Sequence, residues 1–181
     1  ALLIAALPLF VLIALAIKLE TRGPVFFAQR RKGLNQRIIA VLKFRTMKVM
    51  EDGNDVRQAT KDDPRVTRVG WYLRRSSLDE LPQLVNVLRG EMSLVGPRPH
   101  AIAHDDHFGD VLAGYVNRHQ VKPGITGLAQ VRGFRGETRT TGSMQCRIEN
   151  DLEYIQAWSP WLDLKILART VMAVVEGSNA H

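Results

Sequence analysis

Ala1-Leu2-Leu3-Ile4-Ala5-Ala6-Leu7-Pro8-Leu9-Phe10-Val11-Leu12-Ile13-Ala14-Leu15-Ala16-Ile17 opens the chain without one charged residue. A helix of this length sits at the lower limit for crossing about 30 Å of hydrocarbon. Pro8 lies in its middle, where proline removes a backbone hydrogen bond and crowds the preceding turn. The expected outcome is a kinked helix that enters and leaves the same leaflet, a re-entrant hairpin in preference to a straight span. A signal peptide fails because no basic region precedes the run and no small-residue cleavage site precedes Lys18,. An ordinary buried helix is disfavoured, since soluble helices seldom run this far without a polar face. The chain starts in this run with no initiator Met, which leads us to expect a longer natural N-terminal region.

Directly after it come Lys18, Arg22, Arg30, Arg31, Lys32, Arg37, Lys43, Arg45 and Lys48, the pattern of a cytoplasmic juxtamembrane segment or, more plainly, of a solvated basic face,. The whole chain has 181 residues, 45% of them hydrophobic, enough for one domain with a core,. The expected division is a membrane helix over 1–20 and a single domain over 21–181. A net charge of +7 calls for an anionic partner: nucleic acid, a lipid surface or a phosphorylated substrate,. Cys146 is the only cysteine, which excludes an internal disulfide and a thiolate zinc site and fits a reducing compartment,.

Pro24–Phe27 and Gln36–Leu42 are rich in β-branched and aromatic residues, with Gly33 and Asn35 between them as turn formers, and predict a β-hairpin,. Residues 51–64 are polar and predict a loop. Helices are expected over Ser77–Leu88, His104–Asn117, Met144–Ala157 and Leu162–Val175, with a glycine-rich stretch over Pro123–Gly142,. Trp158 and Trp161 open the last helix, which suits either a membrane interface or core packing.

The chemistry concentrates in Arg74-Arg75-Ser76-Ser77-Leu78-Asp79-Glu80-Leu81-Pro82-Gln83-Leu84-Val85-Asn86-Val87-Leu88. Leu78, Leu81, Val85 and Leu88 recur at helical spacing and predict a buried stripe, with Asp79 off it. Ser77-x-x-Glu80 also matches a capping box, and a cap at Asp79 would place Pro82 in the first turn. Either way, N–H groups and the helix dipole would keep Asp79 ionised and draw phosphate toward it. An ionised carboxylate can attack phosphorus, given cations to approach the phosphate. Arg74, Arg75, Arg98, Lys43 and Arg45 could supply them, with a divalent ion bridging carboxylate and diphosphate.

These segments, with Lys43-Phe44-Arg45-Thr46-Met47, Met92-Ser93-Leu94-Val95-Gly96-Pro97-Arg98-Pro99, Lys122-Pro123-Gly124-Ile125-Thr126-Gly127 and Leu162-Asp163-Leu164-Lys165, resemble over essentially the whole chain the monotopic polyprenyl-phosphate phosphoglycosyl transferases. These are bacterial sugar transferases that initiate exopolysaccharide, capsule and O-antigen assembly. The resemblance implies transfer of a hexose 1-phosphate from a UDP-sugar, glucose or galactose favoured, to polyprenyl phosphate, with UMP leaving first. It implies Asp79 as nucleophile, Glu80 as its acidic neighbour, and Mg²⁺ at Asp79 and Glu80. It places Arg74 and the Pro97-Arg98-Pro99 turn on the nucleotide and phosphates, Lys43 near the site and, less directly, Asp163; Arg45, two residues from Lys43, is a further substrate-binding candidate by its charge. It also implies the cytoplasmic face of the bacterial inner membrane, and leaves the sugar and the oligomeric state, a homodimer included, open. The family hairpin commonly has Ser-Pro where this chain has Leu7-Pro8, so a hydroxyl for the freed carbonyl is missing,. Residues 136–151 look more like the long members of the family, which carry further N-terminal helices.

Other readings weigh less. His100, His104 and His107 with Asp105 and Asp106 suggest zinc, but no second cluster closes the site,. The glycines between 124 and 142 make no dinucleotide or P-loop motif. Nucleic-acid binding would leave the apolar opening unexplained, and a non-catalytic membrane scaffold would reduce Asp79-Glu80 to a capping pair. The expected architecture is a mixed α/β, mainly α, compact membrane-associated domain with a re-entrant helix, a short β-hairpin and interfacial amphipathic helices.

Overall fold

The computed structural model describes residues 2–48, 63–134 and 141–175. The apolar opening forms one helix, α1 (Leu2–Glu20), with Pro8 inside it. The two-armed helical hairpin expected at Pro8 is therefore not seen in these residues. Proline deprives the ladder of one donor, and the turns on either side keep theirs. Among the described residues no helix is long and apolar enough to cross a membrane.

One stripe of α1 docks. Phe10, Ile13 and Ile17 recur at helical spacing and belong to a cluster with Val25, Phe44, Val69 and Leu73,. Leu7, Val11, Leu12, Leu15 and Leu19 stay exposed. The end of α1 is tied down twice. The Glu20 carboxylate accepts from the backbone N–H groups of Arg68 and Val69 at 2.7 and 3.0 Å, at the positive end of helix α2 (Arg68–Ser76),. The Arg45 guanidinium donates to the carbonyls of Arg22 and Thr21 at 2.6 and 2.9 Å.

The expected hairpin forms from β1 (Phe26–Lys32) and β2 (Ile38–Phe44), antiparallel, with Phe26 opposite Phe44 and Lys32 opposite Ile38. Its turn runs through Gly33 and a short 3₁₀ helix, where Asn35 and Gln36 take left-handed φ values of 52° and 60°,. Period-two alternation sends neighbouring side chains to opposite faces. Phe44 goes to the core, stacked on Phe26 and edge-on to Phe10 at centroid distances of 5.3 and 5.0 Å. Lys43 goes to the other face.

The outer edge of β2 is closed by one side chain. Asn86 accepts from the Leu42 N–H at 3.0 Å and donates to the Ala40 carbonyl at 2.8 Å, the two bonds a third strand would make,.

Helix α2 was not expected, although Val69 and Leu73, one turn apart, form its buried face. Thr67 caps it by accepting from the Gly70 N–H at 2.9 Å,. Gly70 lies so close to the chain after β2 that a Cβ there would fall 2.1 Å from the Thr46 carbonyl oxygen. The single helix expected over Ser77–Leu88 is broken. Ser77 is left-handed (φ 60°) and ends α2, Leu78–Glu80 form a 3₁₀ turn, and Pro82 leads into α3 (Gln83–Leu88). The predicted stripe holds at Leu78 and Leu81, which pack against the core cluster, and fails at Leu88, which is 73% exposed, while Gln83 and Asn86 are 2% and 0% exposed. A 3₁₀ turn has three residues per turn, and a proline follows it, so the α-helical phase does not carry across.

A second pair of strands, β3 (Ser93–Val95) and β4 (Gly124–Thr126), is parallel and was not legible at three residues each. Its close approach depends on Gly124, where a Cβ would lie 2.1 Å from the Gly96 nitrogen. The helix expected over His104–Asn117 divides into α4 (Ile102–Val111) and a 3₁₀ segment over Tyr115–Gln120, separated at Gly114 with φ 78°. Helices α5 (Leu128–Val131), α6 (Thr141–Gln156) and α7 (Pro160–Val175) complete the fold. Val95, Leu128, Tyr154 and Ile166 form the core that joins β3 to α5, α6 and α7, while Trp158, Trp161, Leu164, Val171 and Met172 remain exposed. Most of the loop expected at 51–64, and the glycine-rich residues 135–140, lie outside the described residues. The chain is thus mainly helical with short strands, as expected.

Candidate active site

The 3₁₀ turn after α2 presents two adjacent carboxylates, Asp79 and Glu80, both about nine-tenths buried. Their surroundings differ. Glu80 is clamped: Arg98 reaches it with both terminal nitrogens, Nη1 to Oε2 at 2.9 Å, and Lys43 Nζ lies 3.1 Å from Oε1. Burial would raise its pKa, but Arg98 and Lys43 outweigh that and hold Glu80 well below the usual carboxylate range,. Burial in turn lowers Lys43, against the pull of Glu80, while Arg98 is pushed up, first by Glu80.

Asp79 has no such clamp. Among the described residues no hydrogen bond or ion pair engages its carboxylate. Burial, and then the charge of Glu80, push it from an ordinary 3.8 up to about 6, with Lys43, Arg74 and Arg98 pulling the other way,. No helix dipole lowers it, because the turn is too short to supply one, and burial beside a like charge raises the carboxyl while leaving it ionised at neutral pH,. Both capping readings are corrected too. The Ser77 side chain makes no cap bond, and Glu80 faces Arg98 and Lys43 instead of the Ser77 N–H.

The fold therefore brings together five of the expected residues from four elements: Lys43 from β2, Arg74 from the last turn of α2, Asp79 and Glu80 from the 3₁₀ turn, and Arg98 from the segment after β3. Pro97 and Pro99 frame Arg98, and a cleft lined by Lys32, Pro97, Arg98, Pro99 and Arg118 opens there. Two expected residues are placed elsewhere. Arg45 is spent on carbonyls beyond α1. Asp163 accepts from the Tyr154 hydroxyl at 2.8 Å and Trp158 Nε1 at 3.3 Å, fastening α7 to α6.

Beside the site lies a second buried cluster that sequence reasoning missed. Arg118 donates to the Arg98 carbonyl at 2.6 Å and to Asp151 Oδ2 at 2.7 Å. Its other terminal nitrogen faces His100 Nδ1 at 2.6 Å. The Tyr115 hydroxyl donates to Asp105, with His119 Nε2 at 3.6 Å from the same oxygen. Burial, reinforced by Arg118, Arg147 and other cations, holds His100 well below its usual pKa, so it is neutral at physiological pH. Burial and the nearby arginines, Arg98 first, lower Arg147 to about 10. A signal existed: Arg147 and Asp151 fall beside the apolar stripe of Met144, Ile148 and Ile155 on α6, where unpaired charges would not be tolerated,. His100 thus serves this network, and no three His, Cys, Asp or Glu side chains among the described residues are grouped to hold a metal.

The chain is 58% identical over 174 residues to a UDP-glucose:undecaprenyl-phosphate glucose-1-phosphate transferase of Caulobacter vibrioides, covering 96% of this chain and 65% of that protein. It is 58% identical over 164 residues to a protein of the same name from Escherichia coli K12, covering 91% of this chain and 35% of the relative. An exopolysaccharide production protein of Rhizobium leguminosarum bv. phaseoli is 46% identical over 177 residues, 96% of this chain and 88% of that protein. The chain thus spans about two thirds and about one third of the first two relatives. A family model described as bacterial sugar transferase matches residues 1–177, and the chain belongs to that family.

Proposed function

We propose that the protein transfers glucose 1-phosphate from UDP-glucose to undecaprenyl phosphate through a covalent intermediate on Asp79, the initiating step of an exopolysaccharide or related polymer. The observation that carries this reading is the unequal treatment of two adjacent carboxylates. Glu80 is neutralised by Arg98 and Lys43, whereas among the described residues no partner engages the Asp79 carboxylate, which is pushed up to about 6. Such a group is ionised at neutral pH yet weakly solvated, which suits a nucleophile. The family and the names of its relatives supply the donor and acceptor.

In the first half-reaction an Asp79 oxygen attacks the β-phosphorus of the UDP-sugar. The bond from that phosphorus to the oxygen bridging it to UMP breaks, and UMP departs with the electron pair. In the second, an oxygen of the polyprenyl phosphate attacks the same phosphorus and the Asp79 carboxylate leaves, regenerated. Arg98, Lys43 and Arg74 line the approach and offset the phosphate charge. Mg²⁺ is commonly held by one or two carboxylates together with substrate phosphates, so Asp79 fits such an ion shared with the diphosphate, where it would neutralise developing charge. Glu80, the other expected ligand, already has both oxygens on cations, and would serve chiefly to hold Arg98.

The exposed apolar faces of α1, α2 and α7, with Trp71, Tyr72, Trp158 and Trp161 at 45–68% exposure, fit a chain seated at the cytoplasmic surface of the membrane,. That seat would bring the site to a headgroup phosphate. With detergent-purified protein, UDP-glucose, Mg²⁺ and no acceptor, mass spectrometry should find a hexose-phosphate adduct on Asp79. UMP formed only after adding undecaprenyl phosphate, with no adduct beforehand, would mean direct transfer and remove Asp79 as nucleophile.

A further inference from the structure

Three consecutive carbonyls at the site are each held by a donor from a different part of the chain. The Gly124 N–H donates to Pro97 O at 2.9 Å, Arg118 Nη2 to Arg98 O at 2.6 Å, and Arg31 Nη1 to Pro99 O at 2.8 Å. Proline fixes φ at 97 and 99 but leaves ψ free, so the rings alone do not aim the Arg98 side chain. Of the two side-chain donors, Arg118 is the more deeply buried. Arg118 is 3% exposed, and the nitrogen that holds Arg98 O also donates to Asp151 on α6, itself 1% exposed. Its other terminal nitrogen lies against His100 and the Tyr115 hydroxyl. A guanidinium held on two sides has its plane fixed, which lysine could not reproduce.

We infer that Arg118, anchored by Asp151, is a positioning residue that sets the backbone at Arg98 and so keeps the Arg98 guanidinium on Glu80 beside Asp79. Arg118 does not touch the Asp79 carboxylate; it acts through Arg98. The inference rests on the reading of Arg98 as a group that works at the substrate phosphates. Loss of the contact lets the turn drift, and misplacement of a catalytic group by about 1 Å can cost about 100-fold.

The test is a double-mutant cycle on kcat/KM, using the full chain in detergent with UDP-glucose and undecaprenyl phosphate. Arg118→Lys and the milder Asp151→Asn, which keeps shape and an accepting oxygen, are each measured alone and with Arg98→Ala. Each alone should lower kcat/KM by about 10- to 100-fold, and in the Arg98→Ala background by less than about threefold, because the group they position is gone. The acid limb of the pH–rate profile should also move upward in the single variants, since Arg98 is among the cations that hold Asp79 down. Equal losses with and without Arg98 would overturn the inference, as would activity unchanged in both single variants or losses that merely follow the melting temperature. Full activity in Arg98→Ala alone would overturn it by a separate route, through the role of Arg98 itself.

Discussion

Two buried charge clusters sit side by side, and they are built to opposite rules. Around Arg118, donor and acceptor meet at hydrogen-bond distance: Arg118 on Asp151, the Tyr115 hydroxyl on Asp105, Arg118 on the Arg98 carbonyl. Around Asp79 the fold supplies cations nearby, and none of them among the described residues makes the contact. The first arrangement fixes geometry through the bonds it makes, at the terminal nitrogens of Arg118 and the Tyr115 hydroxyl, while Arg118 Nε, Asp105 Oδ2 and His100 Nε2 are buried without a partner among the described residues,. The second leaves an anion underpaid in contacts and therefore reactive. Stability and chemistry are assigned to neighbouring clusters, and Arg98 joins them, its carbonyl in one and its guanidinium in the other.

The sharpest way to break this comparison is Asp79→Asn. Turnover, read as UMP release, should fall by at least about 1,000-fold, while the protein becomes more stable at pH 7–8. The sign follows from linkage. The folded carboxyl, near 6, still binds protons that the unfolded chain, near 3.8, has released. Stability therefore falls as pH rises between those values, and the neutral isostere escapes that loss, on the order of 3 kcal/mol,. Chemical denaturation at two pH values reads it directly.

Glu80→Gln should do the reverse. Arg98 and Lys43 are left buried without their anion, a loss of about 3–5 kcal/mol measured by the same denaturation, with activity lost as well,. If both substitutions stabilised, the division between clamped and unclamped carboxylate would fail. A smaller effect is the acid limb of the wild-type rate, which should fall about tenfold per pH unit below about 6 as Asp79 protonates,. Smallest is Tyr115→Phe in the supporting cluster. It leaves Asp105 short of a donor and should cost about 1–2 kcal/mol while moving no pH–rate midpoint,.

Local chemistry was legible in the sequence and long-range placement was not. The hairpin came through because Gly33 and Asn35 separate two β-rich runs, and α6 and α7 came through because helical periodicity survives over sixteen residues. Asp79, Glu80, Lys43, Arg74 and Arg98 were all named from motif and charge. What failed was phase and partnership. Ser77 in a left-handed conformation and Pro82 reset the helix between them, so the stripe drawn through Leu88 pointed outward and Gln83 and Asn86 took the interior. Arg45 sits two residues from Lys43 yet serves α1, a choice made by residues 21 and 22. Nothing local announces that Arg118 meets Asp151 across 33 residues.

Asn86 has a consequence beyond the site. A strand edge with bare donors and acceptors is a template on which another chain can grow. By taking the Leu42 N–H and the Ala40 carbonyl, one amide side chain impersonates the missing neighbour and ends the sheet at two strands. One donor and one acceptor of the β2 edge are thereby withdrawn from pairing with another chain,.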